Sequence, residues 1–164
     1  MTPSMRTLLL TCLILLSGCG FQLRGDIEIP TEWLAMHLQS PSPNGELASG
    51  VRSALSNNGV EWLGATEANI TLQLGSEKFE QRNLTIGANA RATEFELKLS
   101  ASMRVLDDQG QELAPQTEVT VTKIMTHDPE NVTGKVEESN LLRREMRTEL
   151  IQQVLRRIRF LATA

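Results

Sequence analysis

Residues 94–105 read EFELKLSASMRV, and this stretch decides the fold. Phe95, Leu97, Leu99, Ala101, Met103 and Val105 alternate without interruption with Glu94, Glu96, Lys98, Ser100, Ser102 and Arg104. A period of two puts the first set on one face of an extended chain and the second set on the other. The stretch therefore predicts a long β-strand with one buried and one solvated face, the pattern of an antiparallel sheet covered on a single side.

The neighbours on both sides extend that sheet. Asp107-Asp108-Gln109-Gly110 supplies a turn. Thr117 to Met125, rich in Thr and Val, reads as the next antiparallel strand and stops at Asp128-Pro129-Glu130. On the N-terminal side, Ile86 to Ala90 is a small, glycine-containing loop. Before it, Ile70, Leu72 and Leu74 alternate with Thr71 and Gln73, and Gly75 predicts a bulge or bend ahead of Phe79 in a strand that continues past Arg82.

The flanks of this meander read as helix and strand. Leu142, Met146, Leu150, Val154 and Ile158 step by four, and Ile151, Leu155 and Leu161 widen the stripe, so Val136 to Leu161 predicts a long amphipathic helix. Two of its arginines, Arg143 and Arg147, project beside Leu150 and Val154, where a purely solvated helix face would not put them. The bland account is that both snorkel at the edge of the stripe. Pro41-Ser42-Pro43-Asn44-Gly45 is a turn. Leu47, Val51, Ala54 and Leu55 then recur at helical spacing up to the stop Asn57-Asn58-Gly59. A first strand is expected around Trp33 to Leu38.

The resulting order is β-α-β-β-β-α. It predicts an α+β, two-layer sandwich, a mainly antiparallel four-stranded sheet with both helices on one face, in a single domain over residues 31–164.

The start of the chain has a different character. Arg6 precedes an apolar run from Thr7 to Leu16, too short to span a bilayer, which needs about 20 residues. Leu16-Ser17-Gly18-Cys19 follows and resembles a bacterial lipobox, in which small residues admit the backbone to a peptidase and the cysteine thiol takes a diacylglyceryl group. Residues 1–18 are expected to be a signal peptide and residues 19–30 a tether lipidated at Cys19. Each buried methylene contributes roughly 0.8 kcal/mol, so several acyl chains anchor such a domain firmly. Gly20 in place of an aspartate fits transfer to the outer membrane.

Composition narrows the function. The two cysteines are Cys12, in the signal, and Cys19, leaving the mature chain no thiol for a disulfide or a thiolate metal site. All twenty carboxylates but only fifteen of the sixteen basic residues follow Gly18, a formal charge of −5 that argues against nucleic-acid binding. There is no G-x-S-x-G elbow, H-E-x-x-H, P-loop or dinucleotide fingerprint. The two histidines, His37 and His127, stand ninety positions apart and read as surface or edge residues. No catalytic residue, metal ligand or cofactor is expected, which leaves binding.

The opening Cys19-Gly20-Phe21-Gln22-Leu23-Arg24-Gly25 resembles that of the LptE family of lipopolysaccharide-assembly lipoproteins, also called rare lipoprotein B. Asn58-Gly59-Val60-Glu61, Ala92-Thr93-Glu94-Phe95-Glu96, Glu145-Met146 and Gln153-Val154-Leu155-Arg156-Arg157 continue the match in order. The resemblance implies a domain that sits in the lumen of the outer-membrane β-barrel LptD, helps it assemble and aids lipopolysaccharide delivery to the outer leaflet. It also implies contacts to lipid A phosphates from basic residues, with Lys135 at a matching lysine position and Arg91 in the loop before the long strand. Arg82, Arg143 and Arg147 are further candidates on charge alone, and each of the five has the plain alternative of a solvated surface cation. The polar strand face suits a polar barrel interior. The competing expectation is a free-standing periplasmic lipoprotein that carries an apolar ligand between sheet and helices.

Overall fold

The computed structural model describes residues 29–86, 92–126 and 132–163. The signal segment, Cys19, Arg91 and His127 lie outside them, as does most of the expected tether. A 3-10 turn over Thr31–Trp33 buries Trp33 and leads into β1 (Ala35–Gln39). There follow α1 (Glu46–Ser56), β2 (Glu61–Trp62), β3 (Ile70–Leu74), β4 (Lys78–Ile86), β5 (Ala92–Leu106), β6 (Glu112–Thr126) and α2 (Val132–Ala162). Among the described residues no helix is long and apolar enough to cross a membrane.

The strand predicted from alternation is β5, and the sheet is organised around it. Along one edge β5 pairs antiparallel with β6 from Glu94↔Thr126 to Leu106↔Glu112. Along the other edge, β4 takes the first half of β5 and β3 the last four residues, both antiparallel. Beyond β3 the sheet turns parallel, with β1 beside β3 and β2 beside β1.

The expected α+β sandwich is thus present, with six strands in place of four and a parallel portion at the β1 end. One extra strand is β2, two residues that carry no periodicity. The other comes from the division of one predicted strand at Gly75. Leu74 lies opposite Met103, the Gly75 amide donates to Ser102 O at 2.8 Å, and Lys78 lies opposite Ser100. Ser76 and Glu77 therefore share a single opposing residue, Ala101, which is a β-bulge. Glycine is required at its start, because a Cβ on Gly75 would run into Ser102 Oγ. The extra residue shifts the alternation: Ile70, Leu72 and Leu74 face the core before the bulge, and Phe79 after it.

β6 begins five residues earlier than its composition predicts. Pro115 lacks an amide hydrogen, which argues against a strand interior. Two register shifts, between the pairs Met103↔Thr117, Val105↔Ala114 and Leu106↔Glu112, accommodate it.

Both helices cover one face. Phe95, Leu97, Leu99, Ala101, Met103 and Val105 of β5 are buried against Met146, Leu150, Val154, Leu155 and Ile158 of α2 and Leu47, Val51 and Leu55 of α1 in one cluster. Full burial of such side chains contributes about 1.5–3 kcal/mol each. The helices approach closely at Gly50, where a Cβ would meet Ile151 Cδ1. At the end of α1, Gly59 adopts φ +88° and Val60 N returns to Leu55 O at 3.1 Å, which stops the helix as its sequence predicts.

Candidate functional site

The bulge delivers a carboxylate to the helix-covered face. Glu77 follows the same side as Phe79 and meets two arginines that α2 presents one turn apart. Arg143 donates to Glu77 Oε1 from Nε at 3.2 Å and from Nη2 at 2.8 Å. Arg147 donates from Nε to Oε2 at 2.6 Å and from Nη2 to Oε1 at 2.8 Å. Its remaining nitrogen, Nη1, lies 2.7 Å from Glu46 Oε2 in the first turn of α1. The Arg143 guanidinium also stacks 4.9 Å from the centre of the Phe79 ring.

One carboxylate thus ties sheet and α2, and Arg147 extends the tie to α1. Hydrogen bonding from Arg147 holds the Glu77 carboxyl below its ordinary 4.5, against the opposing effect of burial, with Arg143 adding to the depression. The same bond raises Arg147 further above its ordinary value. The geometry accounts for the two cations in the apolar stripe: they are structural partners of Glu77. Nothing in the sequence identifies that partner, which stands 66 and 70 residues away.

A second cluster ties β6 to α2. Lys123 lies on the inner side of the strand and its Nζ is 2.7 Å from Glu149 and 3.2 Å from Glu145. These hydrogen bonds, that from Glu149 foremost, raise the Lys123 ammonium above its ordinary 10.5. On the open face of the sheet, Arg82 pairs with Glu96 at 2.8 Å, Lys98 with Glu118 at 4.0 Å and Arg104 with Glu112 at 2.9 Å. Solvent screening leaves such exposed pairs little net effect on stability.

Of the candidate cations whose side chains are described, Arg143 and Arg147 come together on Glu77 and Arg82 does not join them. Arg82 is on the open face, 71% exposed, whereas Arg143 and Arg147 are on the helix-covered face. Lys135 falls in the first turn of α2 by its backbone; its side chain, like Arg91 and Cys19, is outside the description. The strand ends that border residues 87–91 and 127–131 are placed. Ile86 pairs with Ala92 and Glu94 with Thr126, so the ends of β4 and β6 and the start of β5 meet at one end of the sheet. The connections that contain Arg91 and lead to Lys135 leave from this end. Leu84 and Ile124, within a few residues of it, and Val136 in the second turn of α2 are exposed apolar side chains. Sequence reasoning missed this apolar trio, although Ile124 had a signal: it occupies the outward register of a strand whose other outward residues are polar.

A third feature lies at the opposite half of β6. Thr117, Glu118 and Val119 line an open groove of about 500 Å³ with Gln153, Arg156, Arg157 and Phe160 of α2. Among the described residues no group of three or more His, Cys, Asp or Glu could hold a metal ion.

The lipopolysaccharide-assembly family model LptE matches residues 34–158, from the turn before β1 to the last apolar step of α2. The chain belongs to the LptE family. The LPS-assembly lipoproteins LptE of Yersinia pestis and Yersinia pseudotuberculosis are 34% identical to it over 155 residues, covering 93% of this chain and 74% of theirs. The solution structure of lipoprotein B from Nitrosomonas europaea superimposes with a TM-score of 0.75 at 26% identity, covering 88% of this chain and 94% of that one. The crystal structure of rare lipoprotein B from Shewanella oneidensis gives 0.67 at 26% identity, covering 75% and 92%. The LptE fold therefore extends over the sheet, both helices and the bulge region between them.

Proposed function

We propose that this LptE domain is a lipid-anchored assembly factor in lipopolysaccharide transport, without enzymatic turnover. On this reading lipid on Cys19 holds it to the outer membrane. The folded domain occupies the lumen of the β-barrel LptD, and Lys135 and Arg91 contact lipid A phosphates. Family membership supports the role in lipopolysaccharide assembly. The site assignment rests on the one end of the sheet from which the Arg91 connection and the Lys135 segment both leave, near which Leu84 and Ile124 are exposed. Cations on segments that leave an end with exposed apolar side chains suit an amphiphile whose phosphates border acyl chains, and arginine can bind phosphate through two parallel hydrogen bonds. The charged open face of the sheet suits a polar barrel lumen.

A free carrier with its ligand held between sheet and helices has less support. That interface is filled by Leu97, Leu99, Met146, Leu150 and Val154, all fully buried. The deciding experiment is a detergent pull-down of the tagged full-length lipoprotein from its native outer membrane at high salt. A large β-barrel protein at about one-to-one stoichiometry is the expected result. Recovery of the lipoprotein alone overturns the barrel reading.

A further inference from the structure

The groove between β6 and the last turns of α2 combines three features that point to one class of occupant. The first is an open strand edge. Among the described residues β6 pairs with β5 and with no other strand. The Thr120 carbonyl points away from β5 and accepts Gln153 Nε2 at 3.0 Å, so the backbone groups of alternate residues along this stretch face the groove. The edge is guarded on either side, by Pro115 in the bulged start of the strand and by the inward charge of Lys123. Residues 117–122 lie between those guards.

The second feature is uncompensated positive charge. Arg82, Lys98, Arg104, Lys123, Arg143, Arg144 and Arg147 each have a carboxylate within 4.0 Å. Arg52, Lys78, Arg156, Arg157 and Arg159 have none among the described residues; of these Arg156 and Arg157 line the groove, where Arg157 reaches only Thr117 Oγ1, at 3.4 Å. Arginines near a helix C-terminus complement the helix dipole. Arg159 in the last turn already does so, and the dipole does not explain why Arg156 and Arg157 face the strand. Glu118 on the same wall is turned toward Lys98. The third feature is Phe160, 64% exposed although it is a large aromatic side chain.

We propose that this groove docks an extended, acidic segment of a partner protein. The segment lies along β6 and exchanges backbone hydrogen bonds with its free edge, displacing Gln153 from Thr120 O. It sets carboxylates against Arg156 and Arg157 and an apolar side chain against Phe160 and Val119. Strand addition supplies affinity from the main chain and specificity from alternate side chains. Arg156, Arg157, Phe160 and Val119 all lie on the helix-covered side, so the acidic and apolar side chains that meet them stand two residues apart on one face of the segment. This goes beyond the function proposed above and does not depend on it.

The test uses the full-length lipoprotein in a non-ionic detergent and a fluorescein-labelled heptapeptide, Glu-Thr-Glu-Thr-Val-Thr-Glu, followed by anisotropy. The controls are the same peptide with lysine for glutamate and the acidic peptide with N-methylated backbone. The acidic peptide alone is expected to bind. The double variant Arg156→Glu, Arg157→Glu should weaken it by about tenfold or more and Phe160→Ala by less. Both variants should stay close to the parent's thermal midpoint, since Arg156 and Phe160 are exposed and half-buried Arg157 makes only the bond to Thr117. Failure of the acidic peptide to bind overturns the proposal. So does binding that survives charge reversal or N-methylation.

Discussion

Arg147 lies flat against Glu77, with Nε 2.6 Å from one carboxylate oxygen and Nη2 2.8 Å from the other. The two side chains are only 11% and 13% exposed. A bidentate pair in that setting gains geometric specificity as well as energy. Its position explains its use. Glu77 comes from the bulge, where one extra residue redirects the strand, and Arg147 comes from the middle of α2. The pair thus sets where α2 lies on the sheet, and through the helix where Lys135 begins.

Removing the carboxylate should be costly. Glu77→Ala leaves Arg147 and Arg143 facing each other without their shared acceptor, and Glu46 compensates only Arg147. Loss of one partner of a buried pair destabilises strongly, and partial solvent access here reduces the effect to about 2–3 kcal/mol. Urea unfolding should show a lower midpoint with an unchanged slope. A loss under about 0.5 kcal/mol, the size expected at an ordinary surface position, would contradict the role assigned to the clasp.

The same carboxylate predicts an acid response. Its folded-state pKa lies below the ordinary 4.5, so the unfolded chain takes up the proton first. The stability it contributes is therefore fully present above 4.5 and declines as pH falls through the lower folded value. Urea midpoints of the parent and Glu77→Gln, measured from pH 7 down to pH 3, should converge in acid. A constant gap across that range would mean that Glu77 is not the titrating group.

The contact between helices can be tested by a coupled pair of changes. Gly50→Ala improves helix propensity by about 1 kcal/mol. Its new methyl, however, meets Ile151 Cδ1. Ile151→Val removes that atom and by itself costs about 0.5–1.5 kcal/mol. The double variant should be more stable than the sum of the two single effects, with a coupling of about 1 kcal/mol. Simple additivity in thermal or urea unfolding would show that the helices relax apart without cost.

The parts of this fold that were legible in the sequence are those where a period runs long enough to count. Twelve alternating residues specify β5, and five apolar residues spaced by four specify α2. Gly75 marked the bulge. β2 was not legible because Glu61–Trp62 is too short to have a period, and the start of β6 was hidden by Pro115, which only the paired register shows to be tolerated. The clasp was half legible: Arg143 and Arg147 stood out in the apolar stripe, but Glu77 is joined to them by tertiary packing alone. The groove beside Phe160 was not legible at all, because it depends on which edge of β6 remains unpaired. Lys135 and Arg91 rested on family resemblance, and the backbone adds only that their segments leave the same end of the sheet.

That shared end leads to the prediction closest to function. If Lys135 and Arg91 hold phosphates of one lipid A headgroup, reversing both charges should cost more than either alone and should leave the clasp at Glu77 untouched, since it lies further along α2. Lys135→Asp with Arg91→Asp is expected to weaken lipopolysaccharide binding by about a hundredfold, on the order of 1.4 kcal/mol or tenfold for each lost charged contact. Binding of labelled lipopolysaccharide to the full-length lipoprotein measures this directly, and the urea midpoint confirms an intact fold. The same measurement on Arg82→Asp is the internal comparison, because Arg82 is already paired with Glu96 on the opposite face of the sheet from α2. Equal losses for the two sets would indicate a general charge effect, and unchanged binding in the double variant would remove Lys135 and Arg91 from the site.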